Sequence, residues 1–156
     1  GEGAVGAARA HRQVSGLDID YRQAELADFL AEGPEPFDVV TCMEVLEHVP
    51  DPAELVRQCA EALKPGGLLF FATLNRTLRS YAMAIVGAEY VLGWLPRGTH
   101  DWNRFITPGE MADHLRHAGL APREFRGMIF NPLTNSFRLG SDVAVNYLGH
   151  AERPEA

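Results

Sequence analysis

"FDVVTCMEVLEHVPDPAELVRQCAEALKPGGLLFFATLNR", residues 37–76, is the stretch that decides the fold. Both 37–43 and 68–74 are short apolar runs rich in branched and aromatic side chains, a composition typical of buried strands. Strands that are apolar on both faces predict a parallel sheet that helices cover on both sides.

The segment between these two runs has the signals of a helix. Its apolar residues recur at helical spacing after Asp51 as N-cap and Pro52 in the first turn, and Gly66 and Gly67 are expected to end it. Strand, helix and strand with short turns form a βαβ unit. The sequence therefore predicts an α/β fold with a mostly parallel sheet.

The flanking segments extend this pattern in both directions. On the N-terminal side we predict a helix over 4–15, a strand over 17–23 and a short helix over 26–32. On the C-terminal side we predict a capped helix over 107–120. Two late strands, 123–133 and 141–151, are expected to pair like a hairpin at one end of the sheet.

Composition limits the class of protein. The 156 residues are 46% hydrophobic and 22% charged, which predicts one soluble globular domain over residues 1–156. The net charge of -7 argues against nucleic acid as a partner, because phosphate binding needs a basic face. Cys42 and Cys59 lack C-x-x-C spacing, so we expect neither a disulfide framework nor a thiolate metal site. No signal peptide is visible, and a reducing, cytoplasmic location fits best.

Candidate site residues lie where both predicted central strands end, at the edge of the sheet where α/β proteins bind ligands. These residues are Met43, Glu44, Glu47 and His48 at the end of the first strand, and Leu74, Asn75 and Arg76 at the end of the second. Glu44, Glu47 and His48 are spaced i, i+3, i+4, which on a helical turn brings two carboxylates and an imidazole to one face. Such a face supplies three metal ligands; the alternative is two solvated glutamates beside a packing histidine.

The first six residues, "GEGAVG", match the G-x-G-x-x-G pattern of a nucleotide-binding loop. That loop works only directly after a strand, which aims the glycines and a helix N-terminus at the phosphates. The match is therefore either part of a site or a coincidence in a Gly/Ala-rich stretch.

Several motifs resemble one family closely. They are "TCMEVLEHVPDP" (41–52), "KPGG" (64–67), "FATLNR" (71–76), "GAEYVLGWLPRGTHDW" (87–102), "FITPGEM" (105–111), "NPLTNSFRLG" (131–140) and "DVAVNY" (142–147). Residues 37–76 are similar to the middle of a class I S-adenosylmethionine-dependent methyltransferase, a Rossmann-like fold. The whole set resembles the ubiquinone biosynthesis O-methyltransferases, which methylate 2-polyprenyl-6-hydroxyphenol and 3-demethylubiquinol intermediates.

The resemblance implies that the first two strands of the fold precede this chain, together with the glycine loop and the ribose-binding acid. "GEGAVG" would then follow the second strand and be a decoy. The alternatives are another class I small-molecule methyltransferase, which should lack "GTHDW" and "NPLTNSF", or a non-catalytic, membrane-associating domain.

The resemblance also implies roles for individual residues. Met43 is expected to contact S-adenosylmethionine, and Gln23, after the preceding strand, to lie near its adenine. Glu44, Glu47 and His48 match positions that bind a divalent cation taken to be Mg²⁺, although an imidazole suits Mn²⁺, Zn²⁺ or Fe²⁺ equally well. Without a metal, His48 is the candidate general base, with His100 as its rival.

An apolar insertion at about 77–97 completes the prediction. One interpretation is a helical cap over the substrate pocket; a second, compatible one is contact with a membrane surface through Tyr81, Tyr90 and Trp94. Arg76, Arg79 and Arg97 flank the insertion and would lie near anionic head groups. A polyprenylated phenol or quinol substrate dissolves in the bilayer, so we expect a peripheral protein of the inner membrane that meets other ubiquinone-biosynthesis proteins.

Overall fold

A computed structural model of the chain describes residues 2–83, 85, 86, 93, 96, 98–131 and 133–155. The chain divides into two compact units, 1–34 and 35–156, and each is described by itself.

The first unit consists of two helices and an extended connection. Helix α1 spans Glu2–Ser15 and α2 spans Leu26–Ala31, as the sequence predicts. Gly16 ends α1 with a φ of +68°, a conformation that glycine adopts readily. Because residues 2–6 are already helical, they form no phosphate-binding loop.

The prediction of a strand over 17–23 is wrong. These residues are not in a strand, and none of the strands in the described part of the chain pairs with them. The Arg9 side chain donates a hydrogen bond of 2.9 Å to the Tyr21 carbonyl, a group that a neighbouring strand would otherwise engage. An alternating pattern becomes a strand only where a partner backbone is available.

The second unit is built on a five-stranded sheet. The elements in chain order are β1 (Phe37–Met43), α3 (Pro52–Glu61), β2 (Leu63–Leu74), α4 (Leu78–Ser80), α5 (Pro108–His117), β3 (Ala121–Asn131), β4 (Ser136–Gly140) and β5 (Asn146–Glu152). The strand order is β1-β2-β5-β3-β4. Only β1 and β2 pair in parallel, whereas the other pairs are antiparallel. The expected mostly parallel sheet is therefore limited to the βαβ unit among the described strands.

Both long helices of this unit begin where the sequence predicts. The Asp51 side chain accepts a hydrogen bond of 3.0 Å from the Glu54 amide and caps α3. Thr107 and Glu110 cap each other reciprocally at the start of α5. The side chains of Met111 and Leu115 in α5 are fully buried.

Strand β2 begins at Leu63, five residues earlier than predicted, because Lys64 to Gly67 form an irregularity within the strand rather than the end of a helix. The register with β1 shifts there, from Phe37 opposite Leu63 to Val39 opposite Leu68. A Cβ on Gly67 would lie 2.9 Å from the Lys64 carbonyl oxygen, so only glycine fits.

The described C-terminal residues form three strands, whereas the sequence predicts two. The short segment Ser136–Gly140 forms a hairpin with β3 that the sequence analysis did not predict. Strand β5 does pair with β3, but it lies inside the sheet between β2 and β3 instead of at one end. Its register with β2 runs from Leu68 opposite Glu152 to Leu74 opposite Asn146.

Of the expected apolar insertion, residues 77–83, 85, 86, 93 and 96 lie within the described residues. After α4, residues 81–83, 85 and 86 are π-helical. Tyr90, Trp94 and Arg97, for which a membrane contact is predicted, lie outside the described residues. Over the residues that the structure covers, we found no helix of the length and apolar character required to cross a bilayer.

Candidate functional site at the ends of β1 and β2

The candidate site lies where the parallel strands β1 and β2 end side by side. Met43 pairs with Ala72, and the Glu44 amide donates a hydrogen bond of 3.0 Å to the Ala72 carbonyl. Glu44 then adopts a φ of 53°, which is uncommon for a residue other than glycine. This turn leads directly into a single 3₁₀ turn, Leu46–His48.

Glu47 is a buried carboxylate. Its relative exposure is 3%, and the Thr73 hydroxyl donates a hydrogen bond of 2.7 Å to its Oε2. Its other oxygen, Oε1, has no hydrogen-bond partner among the described residues. A carboxylate taken from water usually has its oxygens partnered, so this arrangement favours an additional donor or cation.

Glu44 and Glu47 come together as the sequence predicts. Loss of solvent around the Glu44 carboxyl group, the negative charge of Glu47 and a hydrogen bond between the two side chains raise the pKa of Glu44 to about 7. Two carboxylates in contact disfavour the doubly ionised state, and a proton or a cation relieves the repulsion.

His48 and His100, the two candidate bases, also meet, although they are 52 positions apart in the sequence. Their rings stack with centroids 5.8 Å apart and planes at 29°. The edge of Phe105 packs against His100, with centroids 5.9 Å apart. The structure thus places an imidazole pair beside the end of β1, and which of the two acts as base stays a prediction.

The predicted metal ligands do not form a three-ligand centre. Within the described residues, histidine, cysteine and carboxylate side chains form no group of three that could hold a metal ion. Glu44 and Glu47 are in contact, whereas His48 stacks on His100. The ligand roles of these three residues therefore stay a prediction.

Asn75 is a second buried polar group at this edge. Its side-chain amide donates to the Val143 carbonyl at 2.8 Å, and its backbone amide donates to the Val145 carbonyl at 2.9 Å. The residue is 6% exposed, and its Oδ1 lacks a partner within the part of the chain that the structure describes. The sequence predicts that Asn75 lies at the end of the strand, but nothing in the sequence indicates its unpartnered oxygen.

Hydrogen bonds and an ion pair anchor the segment that carries His100, and the sequence analysis assigned no role to Trp102 or Ile106. The Trp102 indole donates to the Thr77 carbonyl at 3.0 Å, and the Ile106 amide donates to the Leu74 carbonyl at 3.1 Å. Arg76 forms an ion pair with Glu110 of α5. These contacts fix His100 relative to the end of β2.

A cavity of about 430 Å³ opens beside this segment. Leu46, Phe105 and Ile106 supply apolar lining, while Arg76, Glu110 and His114 supply polar groups. The volume lies in the range of small-molecule pockets.

The two predicted cofactor contacts belong to different units. Met43 ends β1 with 48% of its surface exposed, so its thioether is accessible. Gln23 is exposed in the first unit. Their roles in binding a cofactor stay predictions.

Comparisons with known proteins place this chain in a family. A family model described as a methyltransferase domain matches residues 4–124. The chain belongs to the methyltransferase family. It is 56% identical over 154 residues to a ubiquinone biosynthesis O-methyltransferase of Marinobacter nauticus, covering 97% of this chain and 64% of that relative. It is 55% identical to the protein of the same name from Stutzerimonas stutzeri, covering 95% of this chain and 64% of that relative. The resemblance stated from the motifs is confirmed.

A solved methyltransferase structure matches the fold of this family member. It is a magnesium protoporphyrin IX methyltransferase from Synechocystis with bound S-adenosylhomocysteine, with a TM-score of 0.62 at 16% identity. The match covers 96% of this chain and 59% of that one. The predicted class I methyltransferase fold is confirmed. This chain spans about two thirds of the length of the curated relatives named above.

The raised pKa of Glu44 predicts that the stability of the protein depends on pH. Its pKa of about 7 in the folded state exceeds the ordinary 4.5, so the folded protein holds a proton that the unfolded chain has lost. The contribution is fully present below 4.5 and is lost as the pH rises through about 7. With a chelator present, Glu44→Gln should remove this part of the pH dependence of the free energy of unfolding. Denaturant titrations across this range measure it, with the exposed Glu35→Gln as control. A Glu44→Gln profile parallel to that of the control would contradict the assignment.

Proposed function

We propose that the protein is an S-adenosylmethionine-dependent O-methyltransferase acting on a phenol or catechol hydroxyl of a polyprenylated ubiquinone precursor. The observation that carries the proposal is the 56% identity over 154 residues to a relative named ubiquinone biosynthesis O-methyltransferase. The substrates implied by that likeness are 2-polyprenyl-6-hydroxyphenol and 3-demethylubiquinol.

The reaction requires loss of a proton from the substrate hydroxyl. A phenol has a pKa near 10, so little of it is ionised at neutral pH. His48 can accept this proton on an imidazole nitrogen, and the stacked His100 limits the orientations of the His48 ring. S-adenosylmethionine supplies a methyl group on an electrophilic sulfonium, which needs no activation by the protein.

Alignment of the acceptor oxygen with the methyl group is the other requirement. Well-oriented reactions gain up to roughly 7–11 kcal/mol from positioning. The exposed Met43 thioether at the end of β1 is suited to pack against the cofactor, and Gln23 is the proposed adenine contact. The adjacent cavity of about 430 Å³ is large enough for an aromatic ring.

We also propose that a divalent cation takes part in the reaction. When bound, it would favour the ionised form of the substrate hydroxyl. The donor set fits a cation in part, since Glu44 and Glu47 meet and the buried Glu47 Oε1 lacks a partner among the described residues. His48 does not join them, so no step of the mechanism is derived through the ion.

Methyl transfer to a short-chain 3-demethylubiquinol by the natural full-length protein tests the proposed function. His48→Gln is expected to lower kcat by about 10²–10⁴, the range that a positioned general base contributes. The matched control is His117→Gln on the exposed surface of α5, which should leave kcat unchanged. Equal rates for both variants would contradict the role of His48. Cofactor binding without any product would contradict the proposed substrate.

We further propose that the insertion contacts a membrane surface, which makes the protein cytoplasmic and peripheral on the inner membrane. The support is a set of exposed apolar side chains at its start: Leu78 is 82% exposed, Tyr81 45% and Met83 52%. Arg79 lies beside them, paired with Asp142 and still partly exposed. Such a surface gives a prenylated substrate access from the bilayer and would lie near other ubiquinone-biosynthesis proteins.

Vesicle flotation tests this contact. Replacing Leu78 and Met83 together by Gln should lower the partition onto phosphatidylglycerol vesicles by about tenfold or more, because each change withholds roughly 1–2 kcal/mol of apolar burial. The control is Val14→Gln, which alters an equally exposed residue of α1. The same partition for the double variant and the control would exclude the membrane contact through this segment.

A further inference from the structure

The His100 ring lies between two other rings. It stacks on His48 with centroids 5.8 Å apart, and Phe105 packs against it edge to face with centroids 5.9 Å apart. Phe105 is 1% exposed and belongs to the core, whereas His100 is half-buried and lies in no helix or strand. The position of His100 therefore depends on what holds the residues that follow it.

The start of the apolar insertion holds the chain two positions beyond His100. The Trp102 indole N–H donates a hydrogen bond of 3.0 Å to the Thr77 carbonyl, 25 positions earlier in the chain. The rings of Tyr81 and Trp102 meet edge to face with centroids 6.4 Å apart, a geometry in which aromatic rings attract one another. Trp102 thus has both a polar and an apolar contact with the insertion.

Thr77 is a fixed point of attachment for Trp102. Its hydroxyl donates to the Ala144 carbonyl at 2.6 Å and accepts a hydrogen bond of 3.0 Å from the Ser80 amide. Ser80 is fully buried, and its hydroxyl donates to the carbonyl of Asn75, directly after β2. Buried hydrogen-bond networks of this kind restrict the backbone, so Thr77 is held relative to the sheet.

Ile85 of the insertion supports the other flank of His100. It is 8% exposed and forms one apolar cluster with Leu74, at the end of β2, and Phe105. Trp102 packs against this cluster. Truncating a buried aliphatic side chain leaves a cavity to which its neighbours adjust only in part. The support that Phe105 gives to His100 therefore depends on Ile85.

We propose that Trp102 and Ile85 are positioning residues that keep the His100 ring stacked on His48. Neither residue touches the reacting atoms, and both act through His100. The insertion is then a structural part of the candidate site, apart from its proposed contact with a membrane. The consequence for methyl transfer rests on the proposed function, in which His48 accepts the proton, but the placement of His100 does not.

Nuclear Overhauser effects between histidine ring protons test this placement without any substrate. The natural full-length protein should show a cross-peak between His48 and His100, whose ring centroids are 5.8 Å apart. Trp102→Phe keeps a ring but removes the hydrogen bond, and Ile85→Ala opens a cavity beside Phe105. Each change should weaken the cross-peak by about twofold or more, because the rings are no longer held together.

Two controls separate this effect from a general loss of structure. Ile85→Val removes a single carbon atom and should keep most of the cross-peak. The stacked rings of Phe70 and His150 lie in the sheet with centroids 5.7 Å apart, and their cross-peak should persist in every variant. Loss of both cross-peaks together would assign Trp102 and Ile85 to the fold alone and overturn the proposal. An undiminished cross-peak in Trp102→Phe or Ile85→Ala, or its absence from the unaltered protein, would also overturn it.

A double-mutant cycle tests whether Trp102 acts through His100. Trp102→Phe should lower kcat for a short-chain 3-demethylubiquinol by about tenfold with little change in KM, since it disturbs alignment rather than substrate binding. In His100→Gln the same change should have almost no further effect, whereas in His117→Gln, altered on the exposed surface of α5, it should keep its full effect.

The outcome of the cycle is distinct from the outcome for the proposed function. Equal losses of kcat in the His100→Gln and His117→Gln proteins would overturn the positioning role of Trp102. No product from the unaltered protein would contradict the proposed function, and the cross-peak between His48 and His100 would then decide the placement of His100 alone.

Discussion

The hydrogen bond from Thr73 to Glu47 is the contact on which the candidate site depends. It joins the C-terminal end of β2 to the turn after β1 across 26 positions of the sequence, inside the protein. Burying a carboxylate is unfavourable unless its oxygens are partnered, so Thr73 makes the position of Glu47 tolerable. Loss of solvent and the charge of this buried neighbour raise the pKa of Glu44, and the turn that contains both residues leads to His48.

The parallel pairing of β1 and β2 explains why two distant segments form one site. Both strands end at the same edge, so residues after each of them become neighbours. The segment just before β5 then supplies the Val143 and Val145 carbonyl groups that hold Asn75, and the loop before α5 supplies His100. The edge thus brings the His48–His100 ring pair and the two neighbouring carboxyl groups of Glu44 and Glu47 to the end of β1.

Local signals in the sequence predicted the elements that local interactions determine. The strand over 37–43 and the helix capped by Asp51 are observed as predicted, because apolar runs and capping side chains act within a few residues. Segment 17–23 was wrongly predicted as a strand, and the short strand β4 was missed, because strand pairing depends on distant parts of the backbone. The contact of Glu44 with Glu47 followed from spacing, whereas the stacking of His48 on His100 depends on tertiary structure.

The most direct test of this account is the free energy of unfolding of Thr73→Val, measured by denaturant titration against Thr41→Val on the exposed face of β1. Valine keeps the shape of threonine but removes the hydroxyl that donates to Oε2 of the buried Glu47 carboxylate. The account predicts a loss of about 1–3 kcal/mol for Thr73→Val, the cost of a buried group left unpartnered, and almost none for Thr41→Val. Equal stability of the two variants would contradict the central role of this hydrogen bond.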